Sequence, residues 1–102
     1  MKLSVMERLQ LLNILPAEGN YVTLKIVRQL REDLSFSEDE IKEFGVHQEG
    51  EQVSWRYANG TDEREIPIGE KATDIIVEAL KKLDREEKLT EQMVGLYEKF
   101  VN

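Results

Sequence analysis

The chain has no cysteine, one histidine, one tryptophan and two prolines among its 102 residues. Without cysteine there is no disulfide, no thiolate nucleophile and no cysteine-ligated zinc. His47 has neither a second histidine nor a thiol to complete a metal set or a nucleophilic pair, and a lone histidine near a strand is ordinarily solvated or packed. No apolar run approaches the roughly 20 residues that a bilayer-spanning helix requires. The segment from Met1 to Asn13 carries Glu7, Arg8 and Gln10, so it is amphipathic and not the unbroken apolar core of a secretory signal. A cytoplasmic location is therefore expected. The glycines form no phosphate-cradling set. Asn59-Gly60-Thr61-Asp62 lacks the ligand spacing of an EF-hand loop and reads as a turn. No metal or cofactor is expected.

Apolar residues make up 40% of the chain and charged residues 34%, a balance that fits one globular domain over residues 1–102. A chain of this length buries about 65% of the surface it exposes when unfolded. The net charge of −7 is unevenly placed. Residues 1–34 carry five basic and four acidic side chains, residues 35–70 three and ten, and residues 71–102 six and seven. The balances of +1, −7 and −1 put the whole excess in the middle third. Such acidity opposes non-specific attraction to nucleic acid or to anionic membrane.

Helix signals open and close the chain. Ser4 and Glu7 have capping-box spacing, which starts a first helix from Ser4 to about Leu15, with Pro16 and Gly19 as its stop. A second helix is predicted from Thr23 to Leu34, capped by Thr23 and stapled by Val22 and Val27. Ser37 with Glu40 as box, Phe36 with Ile41 as staple and Gly45 as stop define a short third helix, Glu38 to Phe44. The period then changes to two. Val53, Trp55 and Tyr57 alternate with polar residues, Asn59-Gly60 is a hairpin-turn dipeptide, and Glu63 to Ile68 is the return strand. Pro67 assigns that return strand to an edge. Val46 to Gln48, turning near Gly50, is the candidate for a third strand. Ala72, Ile75, Ile76, Ala79, Leu80 and Leu83 then mark a long helix over about residues 70–87, with Glu78–Lys82 and Asp84–Lys88 as surface pairs. A last helix runs from Thr90 to Val101, stapled by Leu89 and Val94, burying Met93, Leu96, Tyr97 and Phe100. The fold class is α+β, five helices with a small antiparallel β-hairpin or three-stranded meander, in the order ααα-ββ-αα.

Three helices followed by a hairpin is the order of a winged helix-turn-helix, in which the third helix enters the major groove. Here that helix would present Glu38, Asp39, Glu40 and Glu43 against one lysine, Lys42, and phosphates would repel it. Arg56 and Arg64 in the hairpin are outnumbered by Asp62, Glu63 and Glu65, and the basic face of the second helix, Lys25, Arg28 and Arg31, is interrupted by Glu32. Acid–base catalysis needs carboxylates in contrasting environments. The glutamates here fall at helix starts, where the helix dipole accounts for Glu38, Asp39 and Glu40, and at exposed strand positions.

Association is the remaining class. Val5, Leu9, Leu12 and Leu15 form one apolar stripe on the first helix, while Leu11 and Ile14 lie to its other side. Either that helix is covered on two sides within the monomer, or the second face meets another chain. Trp55 and Tyr57 are core beneath the hairpin or, if exposed, rigid interface anchors.

The runs Leu11-Leu12-Asn13-Ile14-Leu15-Pro16, Leu34-Ser35-Phe36-Ser37-Glu38 and Leu96-Tyr97-Glu98-Lys99-Phe100 give the chain a resemblance to short acidic proteins common in tailed-phage and prophage genomes. The resemblance implies an accessory protein that acts by binding phage or host components; it brings no activity and no functional residues. The expected function is a non-enzymatic protein-interaction module. It would offer Glu49, Glu51, Asp62, Glu63 and Glu65 to a basic protein partner and self-associate as a homo-oligomer through Leu11 and Ile14 or through the last helix. The alternative is a winged-helix-like nucleic-acid-binding regulator using the basic face of the second helix.

Overall fold

In the computed structural model, which describes residues 1–55 and 63–101, a short strand β1 (Lys2–Leu3) leads into helix α1 (Val5–Ile14). Ser4 starts α1 by a reciprocal capping box. The Glu7 amide donates to Ser4 Oγ at 3.2 Å, and the Ser4 amide donates to Glu7 Oε1 at 3.0 Å. Helix α2 (Tyr21–Leu34) begins two residues before the expected Thr23. Its cap is Asn20, whose Oδ1 accepts from the Thr23 amide at 2.8 Å. Tyr21 and Val22 therefore sit inside the first turn, and the expected Val22–Val27 staple does not form, Val22 being 60% exposed. Helix α3 (Glu38–Phe44) has the expected bounds. The Glu40 amide donates to Ser37 Oγ, the Ser37 amide donates to Glu40 Oε1, and Gly45 ends the helix at φ 63°, where a side chain would be strained.

The strand pairing differs from the expectation. Strands β2 (His47–Glu49) and β3 (Gln52–Ser54) form an antiparallel hairpin through Gly50, whose φ of 64° suits glycine. The third-strand candidate is thus the hairpin partner. Strand β4 (Arg64–Glu65), from the expected return strand, pairs instead with β1, matching Lys2 to Glu65 and Leu3 to Arg64. Of the two expected arrangements the small antiparallel hairpin is present, and among the described residues the strands form two separate pairs rather than a three-stranded meander. The turn at Asn59-Gly60, with Arg56, Tyr57 and Asp62, lies outside the described residues. Val53, expected to be half-buried, is exposed, and no described element packs on the hairpin strongly enough to enclose it.

Helix α4 (Glu70–Arg85) follows, ending where Glu87 takes a positive φ. A 3-10 turn (Glu91–Met93) then opens into α5 (Val94–Val101), so the last helix is shorter than expected and its staple is absent, with Val94 exposed. The Glu78–Lys82 and Asp84–Lys88 ion pairs do not close; Lys88 lies nearer Glu86, and Asp84 accepts from the Tyr97 hydroxyl. Helix α4 packs on α1, α2 and α5. One apolar cluster joins Leu3, Leu11 and Leu15 to Val27, Leu30 and Leu34 of α2, Ile66, then Ala72, Ile76 and Leu80 of α4 and Leu96 of α5. The chain is a helix-rich α+β fold with five α-helices and small antiparallel strand pairs among the described residues. No helix among those residues is long and apolar enough to cross a membrane.

Candidate interaction surface

Helix α3 and the β2–β3 hairpin stand beside the main apolar cluster, and two arginines tie α3 to the rest of the fold. Arg8 is 1% exposed. Its Nε donates to the Leu34 carbonyl at 3.1 Å and its Nη2 to the Ser35 carbonyl at 2.6 Å, covering the open end of α2. Nη1 and Nη2 grip Glu40 at 2.7 and 3.2 Å, and the Phe36 ring stacks 4.1 Å from the guanidinium carbon. Glu40 thus has two tasks, closing the capping box of α3 and neutralising Arg8. Hydrogen bonding from Arg8 holds its carboxyl below the ordinary range, against the opposing effect of burial. A second tether is Arg64 on β4, which pairs with Glu43 at 2.6 Å and lies over the Phe44 ring.

The signal for Arg8 is present in the sequence. Projected around α1, it falls in the middle of the stripe formed by Val5, Leu12 and Leu15. A cation at the centre of an apolar stripe requires a buried counterion. Admitting Arg8 and Leu11 turns the buried face by about 50° from the all-apolar stripe. That rotation settles the position of Leu11, which is fully buried in the monomer core and cannot meet another chain. Ile14 packs against the same core and is partly buried, with its remaining surface open to solvent.

The acidic candidates occupy two places. Glu49 ends β2 and Glu51 follows Gly50 in the hairpin turn; both are exposed. Glu63 and Glu65 belong to the β4 segment and are also exposed, while Asp62 is outside the described residues. Glu65 pairs with the Met1 ammonium at 2.5 Å, which holds its carboxyl below the ordinary range. Glu49 accepts from His47 Nε2 at 2.9 Å, and His47 Nδ1 reaches the Gly45 carbonyl at 2.9 Å. Both partners are acceptors, so only the doubly protonated ring satisfies both. The Gly45 contact first, then Glu49, raises the His47 pKa. Every residue of β2 is exposed, and Trp55, just beyond β3, is half-buried outside the main cluster.

A second feature was not read from the sequence. Of the α4 stripe, only Ala72, Ile76 and Leu80 are fully buried. Ile75, Ala79 and Leu83 are half-exposed and, with Ile14 and Pro16, line an open groove of about 630 Å³ between α4 and the end of α1. The six-residue stripe is thus wider than the surface α1 and α2 cover.

The arrangement defines a helix-rich α+β domain with an uncovered acidic hairpin on one set of elements and an apolar groove on another. Compared with protein families, with characterised proteins and with solved structures, the chain shows no match.

Proposed function

We propose that this protein is a non-enzymatic interaction module, of the accessory type that small phage and prophage proteins represent, which offers its acidic hairpin region to a basic protein partner. The observation that carries the reading is the β2–β3 ribbon. A two-stranded hairpin that buries almost nothing is marginal in water on its own. This one follows directly on α3, which Arg8 holds through Glu40, and presents Glu49 and Glu51 to solvent. Acidic surfaces speed encounter with cationic partners and select against anionic ones. The same charges weigh against the winged-helix alternative. Glu38 and Asp39 are exposed on the helix that would face phosphates, and Arg31 of the basic face donates to the Leu12 carbonyl.

The test is cross-linked capture from an extract of the native host, comparing wild type with a Glu49→Lys, Glu51→Lys, Glu63→Lys variant whose fold is checked by circular dichroism. A basic partner captured by wild type and lost by the variant supports the reading; equal capture refutes it. Leu11 is enclosed and takes no part in self-association, and Ile14 could take part only from the groove side of α1. Met6 on α1 and Val94 on α5 are the exposed apolar positions left on the two helices considered for it. Sedimentation of wild type beside Met6→Lys and Val94→Lys tests that remnant, and a monomer throughout removes it.

A further inference from the structure

We infer that the groove between α1 and α4 is a second docking site, which takes the apolar face of a cationic amphipathic helix from a partner protein. Its floor is a row at four-residue spacing, Ile75, Ala79 and Leu83. The small Ala79 between two larger side chains makes a saddle into which a ridge of another helix can settle. The adjacent row forms the lip. Asp74 and Glu78 stand there without an ion pair among the described residues, although Lys82 is one turn beyond Glu78. Glu18 and Glu86 complete the rim; Glu86 is paired with Lys88, so Glu18, Asp74 and Glu78 are the open carboxylates against two cations, Lys82 and Arg85.

This charge pattern selects the occupant. A helix with apolar anchors at i, i+3 or i+4 and i+7, flanked by lysine or arginine, would cover the floor and pair the open carboxylates. A small molecule has less to hold it. The groove is open to solvent along its length, and its unpaired carboxylates stand on an exposed rim rather than inside an enclosing pocket. The site is built from α1, the α1–α2 connection and α4, none of which belongs to the acidic hairpin, and it stands whether or not the hairpin binds a partner.

The experiment is selection of a displayed library of 16-residue helices, free at surface positions, on the full-length protein. Affinities of the selected peptides are then measured on variants. Enrichment of lysine and arginine beside an apolar stripe is expected. Binding should fall about ten-fold with Asp74→Lys plus Glu78→Lys, both exposed positions, and more with Ala79→Trp, which fills the saddle. The variant Glu49→Lys, Glu51→Lys should bind as wild type. The inference is overturned if no peptide is selected, if the selected sequences are neutral or acidic, or if the α4 substitutions leave their affinity unchanged. Concentration-dependent self-association that is abolished by Ala79→Trp would assign the groove to a second copy of this chain and overturn it equally.

Discussion

Exchanging Arg8 for methionine keeps most of the aliphatic volume of the side chain and removes every hydrogen bond of its guanidinium. The carbonyls of Leu34 and Ser35 lose their donors, at about 1 kcal/mol each. The Glu40 carboxylate loses two charge-assisted bonds, for roughly 1.5–3 kcal/mol more. The sum, about 3.5–5 kcal/mol, agrees with the usual cost of breaking a buried pair on one side. For a domain of this size it should lower Tm by at least about 12 °C. Glutamine at position 40 can still close the capping box, so Glu40→Gln isolates the ion pair. The double variant buries no lone charge and should be more stable than the sum of the single losses predicts, with a coupling of about 1.5–3 kcal/mol. Urea unfolding followed by circular dichroism and by Trp55 fluorescence measures all four corners of the cycle. A pH series adds a sign. The folded-state pKa of Glu40 is depressed, so its contribution is present above the ordinary carboxylate range and lost as pH falls through the depressed value. The gap between wild type and Glu40→Gln should therefore close on acidification. A cost below about 1 kcal/mol for Arg8→Met, or strict additivity in the cycle, would refute the tethering role.

The His47 ring should titrate above the ordinary imidazole value in an NMR titration; Glu49→Gln should bring it part of the way back, because the Gly45 carbonyl remains. The folded pKa is raised, so that stabilisation is complete below the ordinary value and disappears as pH rises through the raised one; a His47 pKa at or below the ordinary value contradicts the geometry. Replacing Gly50 by alanine meets no steric contact but forces a side chain to φ 64°, and should weaken the hairpin by about 1 kcal/mol, read as faster hydrogen exchange in β2 and β3 with α4 unaffected. Leu11→Ala should cost about 2–5 kcal/mol of unfolding free energy without changing the sedimentation coefficient. A change in association state without loss of stability would return Leu11 to an interface.

The elements legible in advance are those specified within one or two turns of chain. Ser37 with Glu40 and Gly45 define α3 to the residue, because a cap is a local hydrogen bond between neighbours in sequence. The start of α2 is displaced because Thr23 and Asn20 are both competent caps, and the apolar Val22 made the later one look stapled. Pairing of β4 with β1 joins residues more than sixty positions apart, and nothing near Arg64 announces Lys2 as its neighbour. The acidic candidates were visible as charge, but their division between two strand pairs depends on that same long-range pairing. Arg8 and the groove escaped for related reasons. One is a charged residue set aside from an apolar stripe, and the other is part of a stripe assumed to be wholly covered.

Strand β1 also bears on how the parts of the molecule are held together. Its ladder partner is Glu65 and Arg64, and the backbone carbonyl of Lys2 accepts from Lys99 Nζ at 2.9 Å. Leu3, wholly enclosed, completes a cluster whose last member is Leu96. The ladder and hydrogen-bond neighbours of Lys2 and Leu3 therefore lie far along the chain from them. Helices α1 and α2 meet across a short connection, whereas the β1–β4 ladder closes a loop of more than sixty residues. A substitution that opens β1 should therefore loosen distant segments together, because that loop closure ties them into one cooperative unit.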